Sequence, residues 1–423
     1  MIDRTLLAEA TRLSLELGLS VTHELALLSG GALGESDESG LSNRAEVIRL
    51  QRASVRPPLF SYQRDLSIRM FDNAADGTDA LLSLPTGGGK TRTAVSACLD
   101  LMAGLDYKRI VWLAPTMELT SQALTTFRAM WLIHGAAPDM NLRESFTDDA
   151  DRHVWITTPQ AVIQRIRRKR SLGRVDFVVF DEAHQAVART FAEVLEALQS
   201  SPSNIRRPSI IGLSATPGRV NEDETRALSR LFQGRLLTSP TLGKDPIRTL
   251  QRMGVLSKLV FRSLSPPSKD SNNETDRIRG GIELCVQLAS RGKHVLVFTQ
   301  SVAGAVCMAA ALESRGVRSS AVFSDLSQTE RVNRIEMFAS KNIQVLTNQR
   351  LLATGYDCPA VTDVVLLSRI GSPILFEQMV GRAARGPKTG GATKSTVWQF
   401  DDHLALHGMP ASYYRYTDYF VDR

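Results

Sequence analysis

Two short stretches of this 423-residue chain carry residue types suited to phosphate chemistry. The first, SLPTGGGKTRTA from Ser83 to Ala94, runs three glycines straight into a lysine and a threonine. Glycine is the default residue of tight turns, so the stretch alone also reads as a flexible connection. Leu84 moreover stands where a phosphate loop usually opens with a small residue. The flanks favour a phosphate cradle: ALLSLP before it reads as a strand and KTRTAVSACLDLMAG after it as a helix. At such a strand-to-helix turn the loop Pro85, Thr86, Gly87, Gly88 and Gly89 holds phosphate oxygens on its backbone N–H groups, of which Pro85 has none, reinforced by the helix N-terminus. Lys90 then neutralises their charge, and the Thr91 hydroxyl coordinates Mg²⁺.

The second stretch, VDFVVFDEAH, is an apolar strand that ends by presenting Asp181 and Glu182 side by side. Asp181 is suited to hold Mg²⁺, and Glu182 to orient and deprotonate an attacking water. A solvated acidic pair at a strand end is the competing reading. Near the C-terminus, QMVGRAARG spaces Arg382 and Arg385 three apart. On a helix this puts both guanidinium groups on one face, one turn after Gln378. They suit arginine fingers that stabilise charge developing on a γ-phosphate, or simple phosphodiester binding.

These groups need strands to carry them, and the chain supplies the pattern of parallel sheets covered by helices. The runs ALLSLP, RIVWLAPT, HVWITTPQ, VDFVVFDEAH and SIIGLSATPGR form one set; HVLVFTQS, SSAVFSD, IQVLTNQ, VTDVVLLSRI and STVWQF form another. Each ends in small or polar residues, where ligands bind in open α/β sheets. A polar interval between Pro240 and Asn273 separates the sets. The expected organisation is a helical extension and linker over 1–55, a first lobe over 56–250 and a second over 251–423.

Hydrophobic content of 43% and charged content of 22% exclude a disordered chain. A net charge of +7 favours a polyanionic partner, nucleic acid above all. Cys98, Cys285, Cys307 and Cys358 form no paired spacing and read as buried thiols of a reducing compartment. No apolar run approaches the length of a membrane span, and the N-terminus lacks a signal peptide's apolar core, so a cytoplasmic protein is expected. Leu6, Ala10, Leu13 and Leu17 make an amphipathic stripe that serves its own domain or docks a partner. A Gly, Ser and acid-rich connector, Ser29 to Asn43, and a short helical piece, RAEVIRLQRA, follow it.

Taken in order, YQRD, PTGGGKT, APTMELTSQ, TTPQ, DEAH, SAT, VFTQS, LLATGYDCP and QMVGRAARG resemble the successive motifs of superfamily 2 DEAD/DEAH-box helicases and translocases, most of all the bacterial group of type I and type III restriction motors and RadD-like repair proteins. The resemblance implies two RecA-like α/β lobes in tandem with the ATP site in the cleft between them, and ATP and Mg²⁺ as cofactors. It implies that Gln63 reads the adenine edge, that His184, Ser214 and Thr216 couple the ATP site to lobe movement, and that Gly355 and Asp357 meet the nucleotide from the second lobe. It places a nucleic-acid track along Pro115, Thr116, Thr158, Pro159, Thr299, Gln300, Ser301 and Thr347, short donors that serve equally well as helix caps. The basic run RIRRKR, Arg165 to Arg170, adds grip to that track or is a solvated loop. DNA is the preferred strand, with translocation for repair or phage defence; an RNA-dependent ATPase and a nucleotide-gated scaffold are the rivals. A protein partner is expected to dock through the N-terminal extension.

Overall fold

The computed structural model describes residues 4–18, 59–105, 107–131, 141–143, 153–185, 189–218, 221–264, 273–353, 358, 360–400 and 419. The chain divides into two units: residues 40–249 with 411–423 form the first lobe, and 250–410 with 1–39 the second.

In the first lobe, α2 (Ser61–Ala75) leads to β1 (Ala80–Ser83), α3 (Lys90–Gly104), β2 (Arg109–Leu113), α4 (Met117–Trp131), β3 (Asn141–Arg143) and β4 (His153–Thr157). Then come α5 (Pro159–Arg167), β5 (Phe177–Phe180), α6 (Arg189–Gln199), β6 (Ser209–Ser214), α7 (Glu222–Leu231), β7 (Leu236–Leu237) and α8 (Pro246–Arg252). The strands form one parallel sheet in the order β3-β4-β2-β5-β6-β1-β7. Strands β1, β2, β4, β5 and β6 are buried along their whole length, which is why they read as near-continuous apolar runs rather than alternating ones.

The second lobe contains β8 (Lys258–Leu264), α9 (Glu274–Ser290), β9 (Val295–Phe298), α10 (Val302–Glu313), β10 (Ser319–Ala321) and α11 (Gln328–Ala339). It continues with β11 (Val345–Asn348), β12 (Asp363–Leu366), α12 (Pro373–Val380) and β13 (Lys394–Phe400). Its parallel sheet runs β10-β11-β9-β12-β13-β8. All ten strand runs read from the sequence are present, and β3, β7 and β8 were not among them.

The N-terminal stripe is a packing face. Helix α1 (Arg4–Leu17) buries Leu6, Ala10 and Leu13 in the second lobe's core beside Ala303, Val306 and Cys307 of α10. Residues 303–312 of α10 are buried without exception, and their small side chains leave room for α1 to lie close. Cys307 Sγ donates to Ala10 O at 3.3 Å, and Arg279 donates to Glu16 O at 3.1 Å. The expected docking stripe is therefore already covered by the chain itself, because α10 has no polar face of its own to show to water. At the other terminus, Tyr419 O accepts from Ser229 Oγ at 2.6 Å in the first lobe. The four cysteines are buried free thiols, and burial pushes Cys98 and Cys285 upward. Among the described residues, no helix is long and apolar enough to cross a membrane. The connector over Ser29 to Asn43 and the RAEVIRLQRA piece lie outside the described residues.

Candidate nucleotide site and nucleic-acid track

Three neighbouring parallel strands, β5, β6 and β1, set the geometry of the nucleotide site. Their register pairs Phe180 with Gly212 and Ser83 with Ser214, so DEAH, SAT and the glycine loop leave the sheet at the same end, side by side. At about 4.8 Å per strand, the acidic pair and the loop stand about 10 Å apart, with SAT between them. Gly212 allows this close fit: a Cβ there would come within 2.4 Å of Phe232 and 2.7 Å of Ala183, the residue after Glu182.

The loop is a shaped cradle. Gly87 and Gly89 have φ of 89° and 84°, values that favour glycine, and Gly88 N–H donates to Pro85 O at 2.8 Å. The Gly88 carbonyl accepts from Tyr62 Oη at 2.8 Å and from Gln63 Nε2 at 3.3 Å. With that carbonyl held inward, the succeeding amides of the helix N-terminus are left to face an anion. Leu84 is fully buried and its N–H donates to Ser214 O at 3.2 Å. It thus extends the pairing of β1 with β6, and an apolar residue fits where a small one is usual. Lys90 opens α3, and Thr91 follows it, half-buried.

Gln63 is also buried, and its Oε1 accepts from Phe60 N–H at 3.1 Å. A primary amide carries two N–H donors and two acceptor lone pairs. Gln63 therefore keeps one donor and one acceptor after fastening the loop. Tyr62 was not singled out from sequence; the only signal was a large aromatic next to Gln63.

Asp181 is 3% exposed, and its Oδ1 accepts the Glu182 N–H at 2.9 Å. Burial foremost, then the Glu182 charge, pushes its carboxyl up to about 7, against the lowering pull of Lys90. A buried carboxylate facing a lysine and a like charge is a site that gains from a divalent cation. With Thr91 on the adjoining loop, the residues fit Mg²⁺. Glu182 sits at φ 48°, left-handed and strained for a residue with a side chain. Its Oε2 lies 3.3 Å from His184 Nδ1, which lies 3.5 Å from Ser214 Oγ. Ser214 Oγ donates to Thr216 O at 2.6 Å and accepts from Thr216 N–H at 3.1 Å. The strained acid, the histidine and the SAT turn thus form one buried chain of contacts.

In the second lobe the arginines are arranged differently from the expectation. Helix α12 stops at Val380, and Arg382 lies in a single 3₁₀ turn, Gly381–Ala383. Arg385 sits in an antiparallel bridge with Leu256. Ser257 N–H donates to Ala384 O at 3.0 Å and Gly386 N–H to Val255 O at 2.9 Å. These bonds draw the chain out of the helix, so the two side chains do not share a helical face. Arg382 Nε donates to Gln378 O at 3.1 Å, and Gln378 is buried. Gly355 and Asp357 lie outside the described residues.

The expected track residues separate into two groups. Pro115 and Thr116 follow β2, and Thr158 and Pro159 follow β4. Thr116 Oγ1 accepts from Leu119 N–H at 3.4 Å, Thr158 Oγ1 from Ala161 N–H at 3.3 Å, and Ser301 Oγ from Gly304 N–H at 2.9 Å. These three cap helices while remaining half-buried at the carboxyl ends of the sheets. Gln300 is exposed, its Oε1 accepting from Arg369 N–H at 2.8 Å. Thr299 and Thr347 are fully buried instead. Thr299 Oγ1 donates to Ser301 O at 2.8 Å and Thr347 Oγ1 to Ala305 O at 2.7 Å. Their hydroxyls are spent inside the second lobe and do not form part of a phosphate surface. Glu274, which the sequence did not flag, fixes Ser301 by accepting from both its N–H and its Oγ at 2.8 Å.

Two parallel α/β lobes, the first with a glycine cradle beside a buried Asp-Glu pair, define a tandem RecA-like ATPase. A DEAD/DEAH box helicase model matches residues 65–224, and a helicase conserved C-terminal domain model matches 280–387. The chain belongs to the superfamily 2 helicases. It is 28% identical to the ATP-dependent rRNA helicase RRP3 of Lodderomyces elongisporus, over 78% of this chain and 62% of that one. To the ATP-dependent RNA helicase SrmB of Haemophilus influenzae it is 25% identical, over 78% and 74%. The chain spans 50%, 62% and 55% of the length of the first three curated relatives it matches. The fold is similar to that of Mycobacterium smegmatis helicase Lhr bound to ssDNA and AMP-PNP, with a TM-score of 0.60 at 19% identity over 86% of this chain and 49% of that one. For Saccharomyces cerevisiae Dbp5 bound to RNA and ADP BeF3 the TM-score is 0.57, at 19% identity over 85% and 92%.

Proposed function

We propose that this protein is an ATP-driven motor on a nucleic-acid strand, which couples hydrolysis to movement of its two lobes. The observation that carries the proposal is the buried chain from Glu182 through His184 to Ser214 and Thr216, with steps of 3.3 and 3.5 Å. It ties the acid suited to activate water to the strand end beside the phosphate cradle, so a change at the phosphate is felt at SAT. Gln63 turns its remaining donor and acceptor to the adenine edge. The loop amides and Lys90 hold the phosphates, and Thr91 and Asp181 hold Mg²⁺, which supplies positive charge to the phosphate oxygens when bound. Glu182 accepts the proton of the attacking water. Arg382 and Arg385 supply further positive charge, which makes turnover depend on both lobes.

DNA is the track first expected, from the likeness of QMVGRAARG to restriction motors, with a role in repair or phage defence. RNA is the second reading, and the names of the curated relatives favour it. The half-buried hydroxyls of Thr116 and Thr158 suit a phosphate backbone common to both, whereas the Ser301 donors are taken by Glu274. The test is steady-state ATP hydrolysis by the protein alone and with single-stranded DNA, double-stranded DNA or RNA, with Glu182→Gln as blank. Stimulation by one strand type identifies the track. Wild-type turnover no higher than the blank with every strand would overturn the motor reading and leave a nucleotide-gated scaffold.

A further inference from the structure

The basic run RIRRKR follows the expected track residue Thr158 in sequence but is carried away from it in space. Helix α5 begins at the carboxyl end of β4 and runs nine residues to Arg167. At 1.5 Å per residue that is about 14 Å, toward the opposite end of the sheet. The helix closes with Lys169 N–H donating to Ile166 O at 2.8 Å and Arg170 N–H to Arg165 O at 3.1 Å. Lys169 takes φ 51° there, where glycine is the usual choice. The turn is thus hydrogen-bonded into one shape, and a lysine is retained at the conformation's expense. Arg167, Arg168, Lys169 and Arg170 are exposed, and among the described residues their side chains form no hydrogen bond or ion pair.

A second cluster lies at the same end of the sheet, in the segment before β6. Ser201 Oγ donates to Gly173 O at 2.7 Å, and Val175 N–H to Asn204 Oδ1 at 2.7 Å, which holds that segment against the one leading into β5. Arg206 and Arg207 project there, exposed, with the Arg206 guanidinium 4.9 Å from the Tyr107 ring centre. Of the carboxylates at this end, buried Asp79 and Asp176 are engaged with Arg207 and Arg174, and exposed Asp72 and Asp76 lie at the end of α2, before β1. Among the described residues, the unpaired surface cations of the two clusters are therefore the Arg167 to Arg170 run and Arg206. Ile166 and Ile205 are the large apolar side chains exposed among these cations, too few for an apolar footprint.

Salt settles what this charge does. The Debye length is about 8 Å at physiological ionic strength, so the run is screened from a strand at Thr158. It acts only on phosphates that touch it. We propose that the amino-terminal end of the first lobe's sheet is a second phosphate-backbone surface, which holds duplex or folded nucleic acid flanking the strand on the track. It works without nucleotide, since the residues of the ATP site stand at the opposite, carboxyl end of the same strands. The proposal rests on the motor reading for its choice of nucleic acid over an acidic protein or an anionic membrane.

The test compares wild type with a variant carrying Arg167→Gln, Arg168→Gln, Lys169→Gln and Arg170→Gln. Fluorescence anisotropy without nucleotide follows a hairpin with a single-stranded tail, in DNA and RNA forms, and a bare strand of the tail alone. Hairpin affinity is expected to fall about tenfold or more, and the slope of log affinity against log salt to flatten by about 3, at roughly 0.7 to 0.9 for each phosphate no longer neutralised. Bare-strand affinity and the ATPase activity it stimulates should stay within twofold. Unchanged hairpin binding and salt slope would overturn the proposal, and so would an equal loss for the bare strand, which would return the run to the track. Loss of binding to phosphatidylserine vesicles with hairpin binding intact would make the surface a membrane-binding one and overturn it too. If no strand stimulates ATP hydrolysis yet hairpin binding still depends on these residues, the motor reading fails and this surface stands.

Discussion

Replacing Glu182 by glutamine separates the chemistry of the site from its binding, and the structure gives a direction to each. The amide is nearly isosteric and keeps the Glu182 N–H to Asp181 Oδ1 bond of 2.9 Å, which belongs to the backbone. It removes the proton acceptor, and general-base catalysis contributes roughly 100-fold to 10,000-fold. It also removes a negative charge that helps push the Asp181 carboxyl up to about 7. In the wild type, Asp181 is largely protonated below that pH and ionises as pH rises through it, so Mg²⁺ binding strengthens with pH across 6 to 8. Without the Glu182 charge, ionisation moves to lower pH. The variant should therefore lose at least about 100-fold in kcat while binding Mg²⁺-nucleotide as well as wild type at pH 8 and better at pH 6. Single-turnover hydrolysis and titration with a fluorescent ATP analogue, with and without Mg²⁺, read the two quantities. A kcat loss under tenfold, or a parallel loss of Mg²⁺-nucleotide affinity at both pH values, would refute the assignment of base and ligand.

Three other substitutions probe separate parts of the design. Tyr62→Phe deletes the 2.8 Å bond to Gly88 O. It should cost about 0.5 to 1.5 kcal/mol of nucleotide binding, a two- to twelvefold rise in KM for ATP with kcat nearly unchanged. An unaltered KM would show that Gln63 alone shapes the loop. Arg385→Ala keeps the main-chain bridge to Leu256 and should lower kcat by roughly 1000-fold if the side chain is a finger, with single-strand affinity in the absence of nucleotide preserved. A collapse of that affinity would make it a track residue. Leu13→Ala, at 1% exposure in the second lobe's core, should destabilise that lobe by about 2 to 5 kcal/mol in urea unfolding. A change under about 0.5 kcal/mol would mean that α1 is only loosely attached.

Legibility in the sequence followed the physics of burial. Buried strands such as IVWL and FVVF announce themselves as apolar runs, and the ends of those runs were the right places to look for DEAH, SAT and the glycine loop. Strand β8 escaped because it is an edge strand, with Lys258, Arg262 and Ser263 exposed and little apolar contrast with the polar interval around it. The stripe of α1 was visible, but which surface it covers depends on α10, nearly three hundred residues away in the chain. Spacing alone put Arg382 and Arg385 on one helix face, whereas the bridge to Leu256 takes the second of them out of the helix. A local period carries no information about a distant strand that competes for the same backbone groups.

By itself, then, the sequence determined the two-lobed parallel architecture and the residue types of the phosphate site, because glycine, lysine and paired carboxylates at strand ends are local requirements of that chemistry. Only the tertiary structure decided that Tyr62 and Gln63 clamp the Gly88 carbonyl, that Glu182 is joined to Ser214 through His184, and that Thr299 and Thr347 are spent internally. Only it placed the Arg167 to Arg170 cations at the far end of α5, about 14 Å from Thr158, the expected track residue that they follow in sequence. In each case the deciding partner comes from a distant part of the chain or from the direction a helix takes. Neither is written in the residues that it governs.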